Sequence, residues 1–321
     1  MARRFGRGHA SGRRRGFGGQ GRSCCLGRTG APSSDGSMSD SSLTAELAAK
    51  RDALLDLLRA MGRCVVAYSG GVDSAVVAQA AALALGEGAV AVTGVSPSLA
   101  EGELEAAAAL ARRMGIRHRV VATQEFDNPA YRQNAPDRCY HCKTELYGRL
   151  AAIAREEGAR AIVNGANLDD GADFRPGMQA AAEHGVRSPL VEAGLTKAEV
   201  RLLAAHWGLP VAEKPAMPCL SSRVAYGEQV SPERLRMIDQ AERWLRSLGI
   251  AELRVRYHAG DLARIEVPLA ALERLVQPEV RQALVRELQG LGFRFVTLDL
   301  AGFRSGSLNV LAAEPLRTRG G

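Results

Sequence analysis

The chain has 321 residues, enough for one large domain or two of ordinary size. Hydrophobic residues make up 46% of it and charged residues 24%, as in globular proteins, and its apolar runs are too short for a membrane span. The net charge of +7 resides in residues 1–37, with eight Arg and one acid, which leaves 34 basic and 34 acidic side chains elsewhere and argues against strong nucleic-acid binding.

Residues 1–37 are rich in Gly, Arg and Ser and poor in apolar side chains. Such a segment buries too little surface to offset the entropy lost on ordering, so we predict a disordered tail. Met38 leads directly into a helical pattern, and a translation start at Met38 is an open alternative. Because the tail lacks the apolar stretch of a secretion signal, we expect a soluble cytoplasmic protein.

The next part of the chain, 38–215, alternates predicted helices and strands. Apolar spacing and turn signals predict, in order, a helix over 44–60, a strand over 64–68, a helix over 74–85, a strand over 89–95, a helix from a capping box at Ser98 to 114, a strand over 118–121, a helix over 143–156 and a strand over 160–163. A second capping box at Thr196 begins a helix to about 208, and 209–212 is predicted as the last strand. This alternation predicts an α/β fold with a doubly wound parallel sheet.

The remaining part, 216–321, has a different pattern. Ser231 followed by Pro232 predicts the start of a helix to about 248. Strands over 253–257 and 263–267 follow, and then a helix over 278–291 and a strand over 293–298. We therefore predict a smaller C-terminal α+β domain with an antiparallel or mixed sheet.

The hexapeptide SGGVDS, residues 69–74, lies between a predicted strand and a predicted helix. Gly70 and Gly71 let backbone N–H groups approach an anion, and the hydroxyls of Ser69 and Ser74 can donate to phosphate oxygens. Asp73 would be repelled by bare phosphate, so its natural role is to hold Mg²⁺. An ordinary Gly-Gly turn is the alternative. The whole motif resembles the signature of the PP-loop, or N-type ATP pyrophosphatase, superfamily, which implies ATP binding and transfer of AMP to an acid group.

A second polar segment, GANLDD at 165–170, follows the predicted fourth strand. It would lie at the carboxyl edge of the sheet, where doubly wound folds bind ligands. Asn167 would position the nucleotide and Asp170 would hold Mg²⁺. A polar turn without function is the alternative.

Two cysteines, Cys139 and Cys142, lie three residues apart, and Cys219 lies far along the chain. Without a secretion signal, such thiols indicate chemistry rather than disulfides. Three thiolates suit a [4Fe-4S] cluster with one open iron, whereas structural zinc usually has four ligands and would require His141. Unrelated buried thiols are a further alternative, and Cys64, on a strand, is expected in the core.

Five segments in this order resemble the LarE family of sulfur transferases: SGGVDS, RCYHCKTELY, GANLDD, KPAMPCLSSRVAYGE and LRVRYHAGDLARIEV. The resemblance covers about residues 43–311. It implies that the carboxylates of a pyridinium-3,5-dicarboxylate mononucleotide are adenylated and converted to thiocarboxylates, for a nickel-pincer cofactor that another protein loads with nickel. It also implies a homo-oligomer, assembled through the second domain.

The family has two sulfur routes. In one lineage the residue at the position of Cys219 gives up its own sulfur and becomes dehydroalanine. In another, three cysteines hold an iron–sulfur cluster that carries an extra sulfide. Cys139 and Cys142 are absent from the sacrificial pattern and favour the cluster route, while sacrifice remains open.

The resemblance also implies roles for basic residues. Lys143 would act in catalysis together with Cys219 and Asp73. Arg223, Arg254 and Arg256 would hold substrate carboxylate and phosphate groups, for which the guanidinium fork is suited. Strand alternation puts the last two on one side, and a solvated strand face is their alternative.

Three rival functions remain. A tRNA thiolase shares the PP-loop, but the balanced charge of residues 38–321 counts against it. An amide-forming ligase, such as NAD or GMP synthetase, would leave the thiols unexplained. A nucleotide-sensing scaffold would bind ATP without releasing pyrophosphate.

Overall fold

The computed structural model describes residues 43–172, 176–215, 217–304 and 306–308, so the predicted disordered tail lies outside the described residues. The larger of two sheets in the described chain has four parallel strands: β1 (Cys64–Ala67), β2 (Ala89–Val95), β3 (Arg117–Ala122) and β4 (Ala161–Val163). Their order is β3-β2-β1-β4, with Val65 paired to Val90 on one side and Ile162 on the other.

Helices cover both faces of this sheet. They are α1 (Ala45–Met61), α2 (Val72–Leu85), α3 (Glu103–Met114), α4 (Pro129–Arg132), α5 (Arg138–Glu156), α6 (Pro176–Glu183), α7 (Pro189–Glu192) and α8 (Lys197–His206). One core joins the sheet to α1, α2, α3 and α8, and a second core on the opposite face joins it to α5 and α6. The predicted doubly wound α/β fold is therefore confirmed.

The strand order places a reversal of winding beside β1. The chain runs from β1 outward to β2 and β3, then crosses back to form β4 on the other side of β1. At such a reversal the loops after the two neighbouring strands separate and leave a crevice at the carboxyl edge. The SGGVDS and GANLDD loops follow β1 and β4 and therefore flank this crevice.

The second sheet is small and mixed, as predicted. Strand β5 (Arg254–His258) is antiparallel to β6 (Leu262–Glu266), which is parallel to β7 (Phe295–Leu298). Its helices are α9 (Pro232–Ser247), α10 (Leu269–Val276) and α11 (Pro278–Gly290), and α10 was not predicted. The core of this part also includes Tyr131 and Leu220, so it continues into the loop that carries Cys219. The domain boundary between residues 215 and 216 stays a prediction.

Three local predictions were wrong. The capping box at Ser98 does not form: α3 begins at Glu103, after Gly102 in the left-handed conformation, and the Ser98 hydroxyl bonds elsewhere. Residues 209–212 form a turn rather than a fifth strand, because their apolar side chains pack into the helical core. Helix α5 begins at Arg138, five residues before the predicted start, and therefore includes both Cys139 and Cys142. In the described residues, no helix is long and apolar enough to cross a bilayer.

Gly165 is the point at which the β4 loop meets the start of α2. A Cβ atom at this position would lie 2.7 Å from the backbone N of Ser74 and 2.9 Å from the carbonyl carbon of Asp73. Both atoms belong to the backbone of the first turn of α2, so a side chain would push the two loops apart.

We expect Gly165→Ala to lower the free energy of unfolding by about 1–3 kcal/mol, through overpacking, and to weaken ATP binding. Gly148→Ala is the matched control, because no described atom beyond its own helix lies within 4 Å of the added Cβ. That change within α5 should stabilise the protein by about 0.5–1 kcal/mol. Urea unfolding and ATP titration measure both variants. Unchanged stability and affinity of Gly165→Ala would show that the two loops are not tightly apposed.

Candidate active site

The SGGVDS loop exposes the start of α2 to the crevice. Gly71 is the N-cap residue and has no side chain to occupy the N–H groups of the first turn, which remain available to an anion. Gly70 has a φ of 75°, and a Cβ there would lie 2.9 Å from the Cβ of Ala107 on α3. Ser69 and Ser74 contact each other through their hydroxyls at 3.1 Å. Close packing and a left-handed turn therefore both require glycine in this loop.

Asp73 connects the first turn of α2 to two other elements. Its Oδ1 accepts a hydrogen bond from Asn167 Nδ2 at 3.2 Å, and its Oδ2 lies 2.5 Å from Lys197 Nζ. Lys197 is the first residue of α8, which begins with the predicted capping box of Thr196 and Glu199. The ammonium group thus occupies the place beside this carboxylate where a cation is expected.

The GANLDD loop is fixed from both sides. Its Asp169 accepts a hydrogen bond from the backbone N of Lys197 at 2.8 Å, and its Asp170 accepts one from the backbone N of Asn167 at 3.1 Å. Asn167 itself is buried. The structure therefore brings the residues of both predicted motifs together, and their assignments to nucleotide and Mg²⁺ stay predictions.

The three predicted cysteine ligands line one cavity, here the thiol cavity, of about 1100 Å³. Burial, followed by the nearby Cys219 thiol, raises the pKa of Cys142 to about 12. None of the four described cysteines forms a disulfide, and burial raises the pKa of Cys64, in the core as predicted, to about 11. In the described ranges no three or more Cys, His, Asp or Glu side chains are already arranged as metal ligands.

Lys143 lines the same cavity and packs beside Tyr147, with its Nζ 5.9 Å from the centre of that ring. Burial acts to lower the pKa of Lys143, but the neighbouring phenol and thiol groups outweigh it and raise the pKa. The start of α6 lies against the side chain, because a Cβ at Gly177 would be 3.2 Å from Lys143 Cγ. This lysine therefore stays cationic next to the thiols.

Arg138 joins the cysteine-bearing helix to the loop of Cys219. The buried guanidinium donates to the carbonyl oxygen of Ser221 at 2.7 Å and to Asn134. Burial acts to lower the pKa of Arg138, but the neighbouring thiol groups of Cys219 and Cys139 outweigh it and raise the pKa. Arg138 thus supplies a fixed positive charge between two of the thiols.

A buried hydroxyl triad holds the same loop from beneath. The oxygens of Ser98, Tyr131 and Ser221 contact one another at 2.7–3.0 Å. The backbone N of Leu220 also donates to the carbonyl of Ser98 at 2.9 Å. These contacts fix the backbone on the C-terminal side of Cys219.

A second cavity, here the arginine cavity, has a volume of about 680 Å³ and is lined by Arg223, Arg254 and Arg256. Its described lining carries seven cationic side chains and three carboxylates, so it favours anions. All three arginines are buried, which excludes the alternative of a solvated strand face. Burial and then the charge of Arg223 lower the pKa of Arg254 to about 10, so an anion bound here would stabilise its charge.

Two of these arginines also hold the Cys219 loop. Arg223 pairs with buried Glu242 at 3.0 Å and donates to the carbonyl of Cys219 at 3.0 Å. Arg256 pairs with buried Glu266 at 2.9 Å and donates to the carbonyl of Ser222 at 3.0 Å. Their predicted contact with substrate is untested, but sequence reasoning missed this structural role.

The two cavities meet at Cys219. This cysteine, Asp73, Ser69 and Tyr226 line both of them. Both cavities reach the phosphate loop, so a ligand bound at that loop and a ligand held by the arginines would both have access to an exposed thiol. Such an arrangement suits transfer between two bound molecules.

Sequence reasoning missed Lys197 and Arg138. Lys197 directly follows Thr196, whose capping box marked a helix start, and helix starts at the carboxyl edge of a parallel sheet face the ligand crevice. That signal was sufficient to find Lys197. Arg138 gave no comparable signal, because its contacts depend on the distant Ser221.

The PP-loop enzymes bind phosphate at an uncapped helix start, without the lysine of a Walker loop. This chain has the same arrangement, and its fold places it among these ATP-dependent enzymes. The sequence model of the NAD synthase family matches residues 40–154. An uncharacterised protein of Synechocystis sp. PCC 6803 is 47% identical over 82% of this chain and 98% of its own length.

The pyridinium-3,5-bisthiocarboxylic acid mononucleotide synthase of Lactiplantibacillus plantarum is 39% identical, over 83% of this chain and 95% of its own length. The chain belongs to the LarE family of ATP-dependent sulfur transferases. A tRNA-specific 2-thiouridylase of Xanthobacter autotrophicus is more distant, with 33% identity over 48% of this chain and 49% of that protein.

We expect Lys197→Met to weaken ATP binding on the order of tenfold, because it removes a charge-assisted donor beside the phosphate loop. Lys197→Arg keeps the charge and should lose less affinity. Calorimetric titration of ATP, with and without Mg²⁺, measures both. Wild-type affinity in Lys197→Met would mean that this ammonium only pairs with Asp73.

Proposed function

We propose that this chain adenylates the carboxylates of a pyridinium-3,5-dicarboxylate mononucleotide and converts them to thiocarboxylates. The observation that carries the proposal is the position of Cys219, which lines two cavities that both reach the phosphate loop, one lined by the other two thiols and one lined by arginines. The printed name of the L. plantarum relative supports the substrate class. The product would be the precursor of a nickel-pincer cofactor, into which another protein inserts nickel.

The first half-reaction would proceed beside Asp73. A substrate carboxylate oxygen attacks the α-phosphorus of ATP, forming an acyl adenylate and releasing pyrophosphate. The open N–H groups of α2 and the ammonium of Lys197 are suited to the leaving pyrophosphate. Asp73 and Asp170 supply the carboxylate oxygens that Mg²⁺ prefers, and the bound ion would neutralise phosphate charge.

The second half-reaction would proceed at the thiols. A sulfur nucleophile attacks the activated carbonyl carbon, and AMP leaves with the C–O bond electrons. Arg138 and Lys143 provide fixed positive charges that favour an anionic sulfur species here. Arg254 would hold the second carboxylate or the phosphate of the substrate, with Arg223 and Arg256 behind it.

The donor set is compatible with an iron–sulfur cluster. Cys139, Cys142 and Cys219 are reduced and line one cavity, and three thiolates leave one iron open. Binding would require the three side chains to converge further. The cluster, when bound, supplies a sulfide ion; sacrifice of the Cys219 sulfur is the alternative source.

The rival functions have less support. Both the tRNA thiouridylases and the GMP synthase subunit match at lower coverage of this chain than the LarE relatives. An amide ligase would also leave three thiols facing the cavity without a use. A homo-oligomer assembled through the second domain and a cytoplasmic location remain predictions.

We expect Asp73→Asn to lower pyrophosphate and AMP release on the order of 100-fold with little change in thermal stability, because the change removes the carboxylate charge but keeps the side-chain shape, and the ion pair lost with Lys197 is partly exposed. Asp52→Asn, at a 60% exposed side chain on α1, is the control and should keep wild-type rates. Coupled pyrophosphate and AMP assays measure turnover. Full activity of Asp73→Asn would contradict the role of Asp73.

The sulfur source can be read from the mass of Cys219 after one turnover with ATP and substrate. Sacrifice of the cysteine removes roughly 34 Da, the mass of H₂S, whereas a relayed sulfide leaves the residue unchanged. We expect no loss in anaerobically prepared protein that is brown from the cluster.

Cys139→Ser should bleach this protein and prevent repeated turnover, because one of three ligands is lost. Visible absorbance and iron analysis measure the loss, and Cys64→Ser, on the buried strand, is the control. A colourless wild-type protein that contains zinc would contradict the cluster.

A further inference from the structure

The proposed substrate poses an electrostatic problem for the arginine cavity. Its carboxylates and phosphate match the buried guanidinium groups, but its pyridinium ring carries a positive charge. A cationic ring among Arg223, Arg254 and Arg256 would be repelled unless an electron-rich surface faced it. The face of an aromatic side chain is such a surface.

Two aromatic side chains line the arginine cavity, Tyr226 and Phe303. Phe303 already has a cation on its ring, because the guanidinium of Arg254 lies 5.1 Å from the ring centre. Tyr226 is half-buried and makes no ring contact or side-chain hydrogen bond with other described residues. It also lines the thiol cavity, as Cys219 does. One ring at the junction is therefore available to a ligand.

The backbone on both sides of Tyr226 is fixed. The N–H of Ala225 donates to the carbonyl of Tyr257 on β5 at 2.9 Å, and Asn134 Nδ2 donates to the carbonyl of Ala225 at 2.8 Å. The N–H of Gly227 donates to the carbonyl of Asn134 at 3.3 Å. The ring is thus presented from a rigid loop, which lowers the entropic cost of holding a ligand against it.

We propose that the ring face of Tyr226 holds the pyridinium ring of the substrate by a cation–π interaction and so orients a ring carboxylate towards Cys219. This inference rests on the proposed function. It assigns charge recognition to two surfaces: the arginines bind the anionic groups, and Tyr226 binds the cationic ring. Tyr226 is a specificity residue and takes no part in proton or sulfur transfer.

The first test compares Tyr226→Phe with Tyr226→Leu. Loss of the ring in Tyr226→Leu should raise the Kd and KM of the pyridinium-3,5-dicarboxylate mononucleotide about 10-fold, with the KM of ATP unchanged. Tyr226→Phe keeps the ring and should stay within about twofold of wild type. Phe295→Leu, at a 61% exposed position outside both cavities, is the control for an aromatic-to-aliphatic change.

The second test separates a cation–π interaction from simple packing. Phenylalanine with one, two or three ring fluorines at position 226 keeps nearly the same shape but withdraws electron density from the ring face. The Kd of the mononucleotide, measured by calorimetry without ATP, should rise step by step with each fluorine. A Kd that does not change along this series would overturn the proposal.

The outcomes distinguish a failure of this inference from a failure of the proposed function on which it rests. If wild-type protein neither binds nor thiolates the mononucleotide, the proposed function fails and the inference fails with it. If wild-type protein turns over and Tyr226→Leu keeps the wild-type KM, the inference alone fails. A rise in the KM of ATP, with the mononucleotide unaffected, would place Tyr226 against adenine and also overturn it.

Discussion

Two buried ion pairs determine where Cys219 lies, and the site is organised around that position. Two pairs, Arg223 with Glu242 and Arg256 with Glu266, neutralise charges in the interior of the part that carries the small mixed sheet. Each guanidinium also donates to a carbonyl of the Cys219 loop. Removal of one member of a buried ion pair costs about 3–5 kcal/mol, so these pairs hold the guanidinium groups in place as donors to the loop. The same arginines give the adjoining cavity its positive potential.

The reversal of winding at β1 supplies the other half of the site. It separates the loops after β1 and β4, and the apposition at Gly165 then brings them back into backbone contact. Asp73 lies at this contact, with an amide on one oxygen and an ammonium on the other. The large parallel sheet and its helices thus position the nucleotide end of the site together with Cys139 and Cys142, whereas the part of the chain with the small mixed sheet holds the loop of Cys219.

The sequence was most informative where local chemistry decides structure. The SGGVDS turn, the capping box at Thr196 and the proline-initiated α9 lie where predicted, because glycine, capping and proline effects act within a few residues. Ser98 shows the limit: its local capping signal lost to a tertiary partner, Tyr131. The arginines show it too, since their pairing with Glu242 and Glu266 depends on contacts of the Cys219 loop with α9 and of β5 with β6 that no local pattern encodes.

The hydroxyl triad beneath Cys219 has a kinetic consequence. Because Ser98, Tyr131 and Ser221 fix the loop from inside the protein, the backbone next to Cys219 keeps its position, and both reactants have to bind beside it. The thiol cavity and the arginine cavity are both lined by this cysteine and by Ser69 and Asp73 of the phosphate loop, so both reactants can be bound beside it at the same time. Initial velocities should therefore give intersecting double-reciprocal lines, as for a ternary complex, rather than the parallel lines of an enzyme that releases one product before the second substrate binds.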